Sequence, residues 1–178
     1  MKFPKKIYVT LVVLSLLLVS SNSAFAYTYL GGKHSSTNLT GVIKSGLNYP
    51  YSTLFFNAVQ DWDNAGSELN VGVSYGGGGN IYIGGDSFGN VGWNAQCTNY
   101  REFIWWGDYT SSVIDVNYSS MDGRSDEYNK STISHELGHA FGLDHTNDPA
   151  TIMYTYGNPS RTVTTPQADD INGVNNLY

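Results

Sequence analysis

Three of the chain's four histidines fall in one run, His135-Glu136-Leu137-Gly138-His139-Ala140-Phe141-Gly142-Leu143-Asp144-His145, and no other stretch restricts the fold so tightly. In an α-helix, positions i and i+4 share a face about 6 Å apart along the axis, so a helix lets His135 and His139 aim both imidazoles at one ion. Gly142 then permits the backbone to leave that helix in a left-handed conformation, and His145 can swing back as a third ligand. Glu136, rotated by about 100° from His135, is placed beside the metal, facing a bound water, rather than on it. Three protein ligands leave a fourth position open. That is the arrangement of a catalytic zinc, whereas a closed structural zinc usually carries four ligands and several cysteines.

The run resembles the metzincin signature H-E-x-x-H-x-x-G-x-x-H. Thr151-Ile152-Met153-Tyr154 follows the third histidine by a short loop and is similar to the methionine turn of that group, in the form used by matrixins, the matrix-metalloproteinase-type branch. The closing segment from Thr165 to Tyr178 is similar to the last matrixin helix, and Val113-Ile114-Asp115-Val116-Asn117 alternates like the strand that precedes the active-site helix. The resemblance is strong from Val113 onward and loose before it. It implies one catalytic zinc on His135, His139 and His145, Glu136 as catalytic base, and Met153 packed under the metal without ligating it. It further implies a substrate lying extended along an edge strand of the sheet. Val91-Gly92-Trp93-Asn94-Ala95 is the candidate edge, with Tyr154 as a further substrate contact.

The N-terminus combines a basic Met1-Lys2-Phe3-Pro4-Lys5-Lys6, an apolar run from Ile7 to Val19 and an Ala24-Phe25-Ala26 cleavage pattern. These are the parts of a secretory signal peptide, and the apolar run is too short to span a bilayer. Residues 1–26 are therefore expected to be removed, leaving residues 27–178 as a zinc metallopeptidase catalytic domain with no room for a large propeptide. The loss of Lys2, Lys5 and Lys6 takes nine basic residues to six against 15 acidic, a net charge of −9. Such a surface repels nucleic acid and anionic membranes, so the expected partner is a protein or peptide substrate of a secreted, extracellular monomer with no stable membrane association. Acidity also admits Ca²⁺, although a run such as Asp122-Gly123-Arg124-Ser125-Asp126-Glu127 lacks EF-hand spacing and is more often a solvated loop. Cys97 is the only cysteine, so no disulfide forms within the chain. Matrixins are commonly held inactive by a propeptide cysteine, and Cys97 departs from that pattern by lying inside the domain, where it reads as a buried free thiol.

Along the rest of the chain, Ser52 or Thr53 is expected to cap a helix running to about Asn64, with Phe55, Val59 and Trp62 on its core face. Leu69, Val71, Val73 and Tyr75 alternate as a half-buried strand, and Gly76-Gly77-Gly78-Gly79 reads as a hairpin turn, since no phosphate-loop lysine follows. Asn80 to Ile83 and Val91 to Cys97 suggest further strands. Trp105-Trp106 reads as core rather than as an exposed binding patch. His34, isolated, reads as exposed. Helical pattern returns near Tyr128, with Ile133, Leu137, Ala140 and Phe141 as its apolar stripe. Asp169-Asp170 either favours the dipole of the closing helix or meets a freed N-terminal amine.

The fold class is α+β: a metzincin-like twisted mixed sheet of about five strands with an N-terminal helix, an active-site helix and a C-terminal helix. The expected function is hydrolysis of peptide bonds by a secreted zinc-dependent endopeptidase, in which zinc lowers the pKa of its water to about 7 and Glu136 takes the proton. Two alternatives stand beside it, a zinc amidase acting on a non-protein or cell-wall peptide amide and a catalytically silent zinc-containing binding protein. The intact Glu136 argues against the last, because ligands alone suffice to hold zinc.

Overall fold

Short apolar strands interrupted by glycine build one mixed sheet, and two helices cover it. The computed structural model describes residues 27–103, 107–157 and 159–178. The expected signal peptide and the Trp105-Trp106 pair lie outside the described residues. The five-stranded sheet consists of β2 (Asn38–Ile43), β3 (Asn70–Tyr75), β4 (Ile81–Asp86), β5 (Ala95–Arg101) and β6 (Tyr109–Asn117), in the order β3-β2-β4-β6-β5. β3, β2, β4 and β6 run parallel, and β5 pairs antiparallel with β6 at one edge. The expected mixed sheet of about five strands is thus present. A second pairing, β1 (Thr28–Tyr29) with β7 (Leu143–Asp144), ties the N-terminal arm to the segment that carries His145.

Three sequence expectations are corrected here. The helix α1 spans Tyr51–Asn64 and starts ahead of the expected Ser52 or Thr53 cap; Pro50 holds the cap position without a side-chain hydrogen bond. Burial of Tyr51 accounts for the earlier start, since its ring stacks on Tyr118 at 5.3 Å and its hydroxyl donates to Asp122 at 2.6 Å. The four glycines form no hairpin. β3 and β4 flank β2 in parallel, so the chain must cross β2, and it does so with Gly79 pressed against Val42 and Thr40, where a Cβ would collide. That crossing buries Val42. The third correction concerns the candidate edge strand, which begins only at Ala95 and continues to Arg101; residues 91–94 are loop.

The active-site helix α3 (Asp126–Ala140) follows a short α2 (Tyr118–Met121) and begins two residues before Tyr128. Ser125 caps it by accepting from the Tyr128 amide at 3.2 Å, and Asp126 and Glu127 stand in its first turn, where acidic side chains favour the dipole. Ile133, Leu137, Ala140 and Phe141 are fully buried, as their stripe requires, with the Phe141 ring edge-on to Trp62 at 5.2 Å. Trp62 also donates its indole N–H to the Ser134 carbonyl at 3.1 Å, locking α1 across α3. The last helix, α4 (Ala168–Leu177), closes the chain beneath them. Among the described residues no helix is long and apolar enough to cross a membrane.

Candidate active site

α3 presents His135 and His139 one turn apart, and the chain leaves it through Phe141 and Gly142. Gly142 adopts φ +104°, and a side chain there would strike the Gly32 carbonyl of the N-terminal arm. The turn delivers His145 from the end of β7, and the three Nε2 atoms converge: His145 stands 3.1 Å from His135 and 3.2 Å from His139. Two ligands at ~2.05 Å in a tetrahedron are about 3.3 Å apart, so the spacing suits zinc. The donor chemistry suits it too. Nδ1 of His135 meets the Ile152 carbonyl and Nδ1 of His139 meets the Leu143 carbonyl, each at 2.8 Å. A carbonyl only accepts, so each Nδ1 carries the proton and each Nε2 turns a lone pair to the shared point. Burial, first among the causes, lowers the pKa of both rings, that of His139 to about 4, and so favours the neutral form a metal needs.

Behind this cluster, Met153 is buried with its sulfur against Gly138, a contact that leaves no space for a Cβ at 138. The glycine between the two histidines is therefore a packing requirement of the methionine turn. Beside it, Glu136 is buried and has its pKa raised to about 8 by burial, opposed by the charge of Arg161 and by the Cys97 backbone. A cleft of about 500 Å³ opens in front of Glu136, walled by the start of β5 on one side and Tyr154 to Gly157 on the other.

A family model described as Matrixin matches residues 48–178. The chain belongs to the matrixin family. Matrixins are the metallopeptidase branch that the histidine run and methionine turn resemble. Macrophage metalloelastase of Oryctolagus cuniculus is 56% identical over 45 residues, which are 25% of this chain and 10% of that protein. Human matrilysin (Homo sapiens) is 46% identical over 46 residues, 25% of this chain and 17% of that protein. Both matches cover a small part of these relatives' lengths.

Of the residues singled out from the sequence of this matrixin, His135, Glu136, His139, His145, Gly92, Trp93, Asn94, Ala95 and Tyr154 line the one cleft. Val91 does not. It lies in a neighbouring hollow with Arg124, in a loop held by Asn117, whose amide donates to the carbonyls of Gly89 and Trp93. Asp122 is engaged by Tyr51, and Asp126 and Glu127 open α3, so the acidic run proposed for Ca²⁺ has structural roles. His34 is buried, contrary to expectation: its Nε2 lies 3.0 Å from the Ser112 hydroxyl, which donates to Asn99, whose amide donates to the His139 carbonyl. The arm packing over β6 encloses it. Cys97 is a free thiol packed against the core, its pKa raised by burial.

Two residues support the site in ways the sequence did not indicate. Asp170, almost fully buried, accepts from the amides of Ile152 at 2.8 Å and Met153 at 3.2 Å, and also from its own helix cap at Gln167. One carboxylate thus clamps the methionine turn and starts α4. Thr28 of the arm donates to the His145 carbonyl at 2.7 Å, holding the third histidine from outside. Asp170 showed in the sequence only as a helix-start residue and Thr28 not at all, because their contacts to the methionine turn and to His145 cross more than a dozen residues.

Proposed function

We propose that this matrixin is a secreted zinc-dependent endopeptidase, with residues 27–178 as its catalytic domain, His135, His139 and His145 as zinc ligands and Glu136 as general base. The observation that carries the reading is the convergence of three Nε2 lone pairs, two of them oriented by backbone carbonyls, beside a buried carboxylate in an open cleft. When bound, zinc supplies the Lewis acidity that activates water and polarises the attacked carbonyl. The protein's own groups do the rest. Glu136, in the lining of the cleft, takes the proton from the attacking water and delivers it to the leaving amine. The outer edge of β5 carries unpaired backbone groups that an extended peptide can join as a sixth strand, between that edge and Tyr154. The substrate is a protein or peptide, and the chain acts as a monomer after loss of residues 1–26. Calcium has no part in these steps.

Casein degradation by the purified chain tests this reading. Cleavage should be abolished by a chelator and restored by zinc; chelator-resistant cleavage, or none with one zinc bound per chain, defeats it.

A further inference from the structure

Arg161 is the charge in the cleft that the steps above leave unused. It is 4% exposed, yet it lines the same cavity as Glu136. Nη1 donates to the Ile152 carbonyl and Nη2 to the Ser131 hydroxyl, each at 3.0 Å, and Nε–H has no partner. Among the described residues no carboxylate lies within 4.0 Å of the guanidinium. Of the carboxylates whose charge acts on it, Glu136 comes first and serves the chemistry of the cleft, and Asp170 has its oxygens taken by three amides. A buried guanidinium without an ion pair is costly to maintain, and a ligand carboxylate would relieve that cost.

The position of Arg161 selects which part of a substrate it meets. Ser131 stands four residues before His135, so the guanidinium lies about one turn toward the N-terminal end of α3, away from His139. It lines one cavity with Glu136, the group that protonates the leaving amine. The residue contributing that amine therefore sends its side chain to the Arg161 side. The cavity wall joins aromatic surface from Trp93, Tyr154 and Tyr156 to polar groups of Gln96, Thr132 and Arg161. Beyond Ala95, no aliphatic side chain lines the cavity among the described residues.

Resting on the endopeptidase reading, we infer that Arg161 is a specificity-determining residue that selects an aspartate or glutamate immediately after the cleaved bond. The carboxylate takes the free Nε–H and pairs with the guanidinium, while Glu136 remains compensated by the metal.

The zinc-loaded chain is incubated with a random peptide library, and the new N-termini of the products are sequenced. Aspartate and glutamate should be enriched at the first position by about ten-fold or more, the worth of one charge-assisted hydrogen bond. Arg161→Met should abolish the enrichment and Arg161→Lys should keep part of it. Enrichment of apolar residues by the wild-type chain overturns the inference while leaving the endopeptidase reading intact, and it does so even if the variants fail to fold. If no peptide is cut, the endopeptidase reading fails, and binding decides the inference separately. Zinc-loaded Glu136→Gln is titrated with two peptides that differ only by Glu or Leu at that position; tighter binding of the Glu peptide supports it, and equal or weaker binding overturns it.

Discussion

The two sides of the cleft are built differently. The histidine side is held at nearly every atom: His135 and His139 by backbone carbonyls, His145 by the arm through Thr28, and the methionine turn by Asp170. The far wall is a loop in which Tyr156 is 64% exposed and touches Tyr154 ring to ring at 5.6 Å. The difference teaches where precision is needed. Ligand geometry tolerates errors of a few tenths of an ångström, so each ligand is held by a hydrogen bond, those of His135 and the methionine turn being buried, whereas a wall that receives varied side chains gains from freedom.

The sharpest attack on the histidine side is Glu136→Gln, which leaves all three ligands in place. Activity should fall by about 10²-fold or more while zinc content stays at one per chain. Near wild-type cleavage by the purified variant would remove Glu136 from the chemistry.

Asp170→Ala should be the largest stability loss, about 3 kcal/mol, because two buried amides and the half-buried Gln167 amide lose their acceptor at once. Denaturant unfolding measures it, and zinc affinity should weaken in step. A loss confined to stability, with zinc affinity unchanged, would mean that the turn does not support the ligands.

A smaller effect separates the groups by pH in the protein stripped of metal. The Glu136 pKa is raised from 4.5 to about 8, so its protonated form favours folding below pH 4.5, and that contribution is lost as pH rises through about 8. His139 acts oppositely. Its pKa is lowered from 6.5 to about 4, so its contribution is complete above pH 6.5 and is lost as pH falls through about 4. Glu136→Gln should therefore raise the melting temperature of the metal-free protein more at pH 8 than at pH 4.5. An equal rise at both values would show that burial does not perturb the carboxyl.

Least affected should be the far wall. Tyr156→Ala should change stability by no more than about 0.5 kcal/mol, since its ring is mostly in water, while KM rises with kcat little changed. A drop in melting temperature as large as that of Asp170→Ala would erase the contrast between the two sides.

Local periodicity made the helices legible at their cores but not at their ends. Phe55, Val59 and Trp62 marked the face of α1 correctly, yet its start followed from the burial of Tyr51 against Tyr118, a partner far along the chain. The glycine run looked like a turn between neighbours because strand order is invisible to alternation; only the pairing of β3 and β4 with opposite edges of β2 makes it a crossing. The edge of the sheet was likewise placed too early, since Asn117 holds residues 89–93 out of the ladder by side-chain bonds that no nearby residue announces.

What the sequence determined by itself was the spacing from His135 to His145 and the glycine at 142. A helix and its exit are local structures, and their geometry follows from φ, ψ and a repeat of 3.6 residues. Tertiary structure alone decided that Gly138 makes room for Met153, that Asp170 holds the methionine turn and that Arg161 is sealed into the cleft beside Glu136. Those contacts join segments far apart in the chain, and their energy depends on burial and on which hydrogen-bond partners remain, quantities that exist only once the chain has folded.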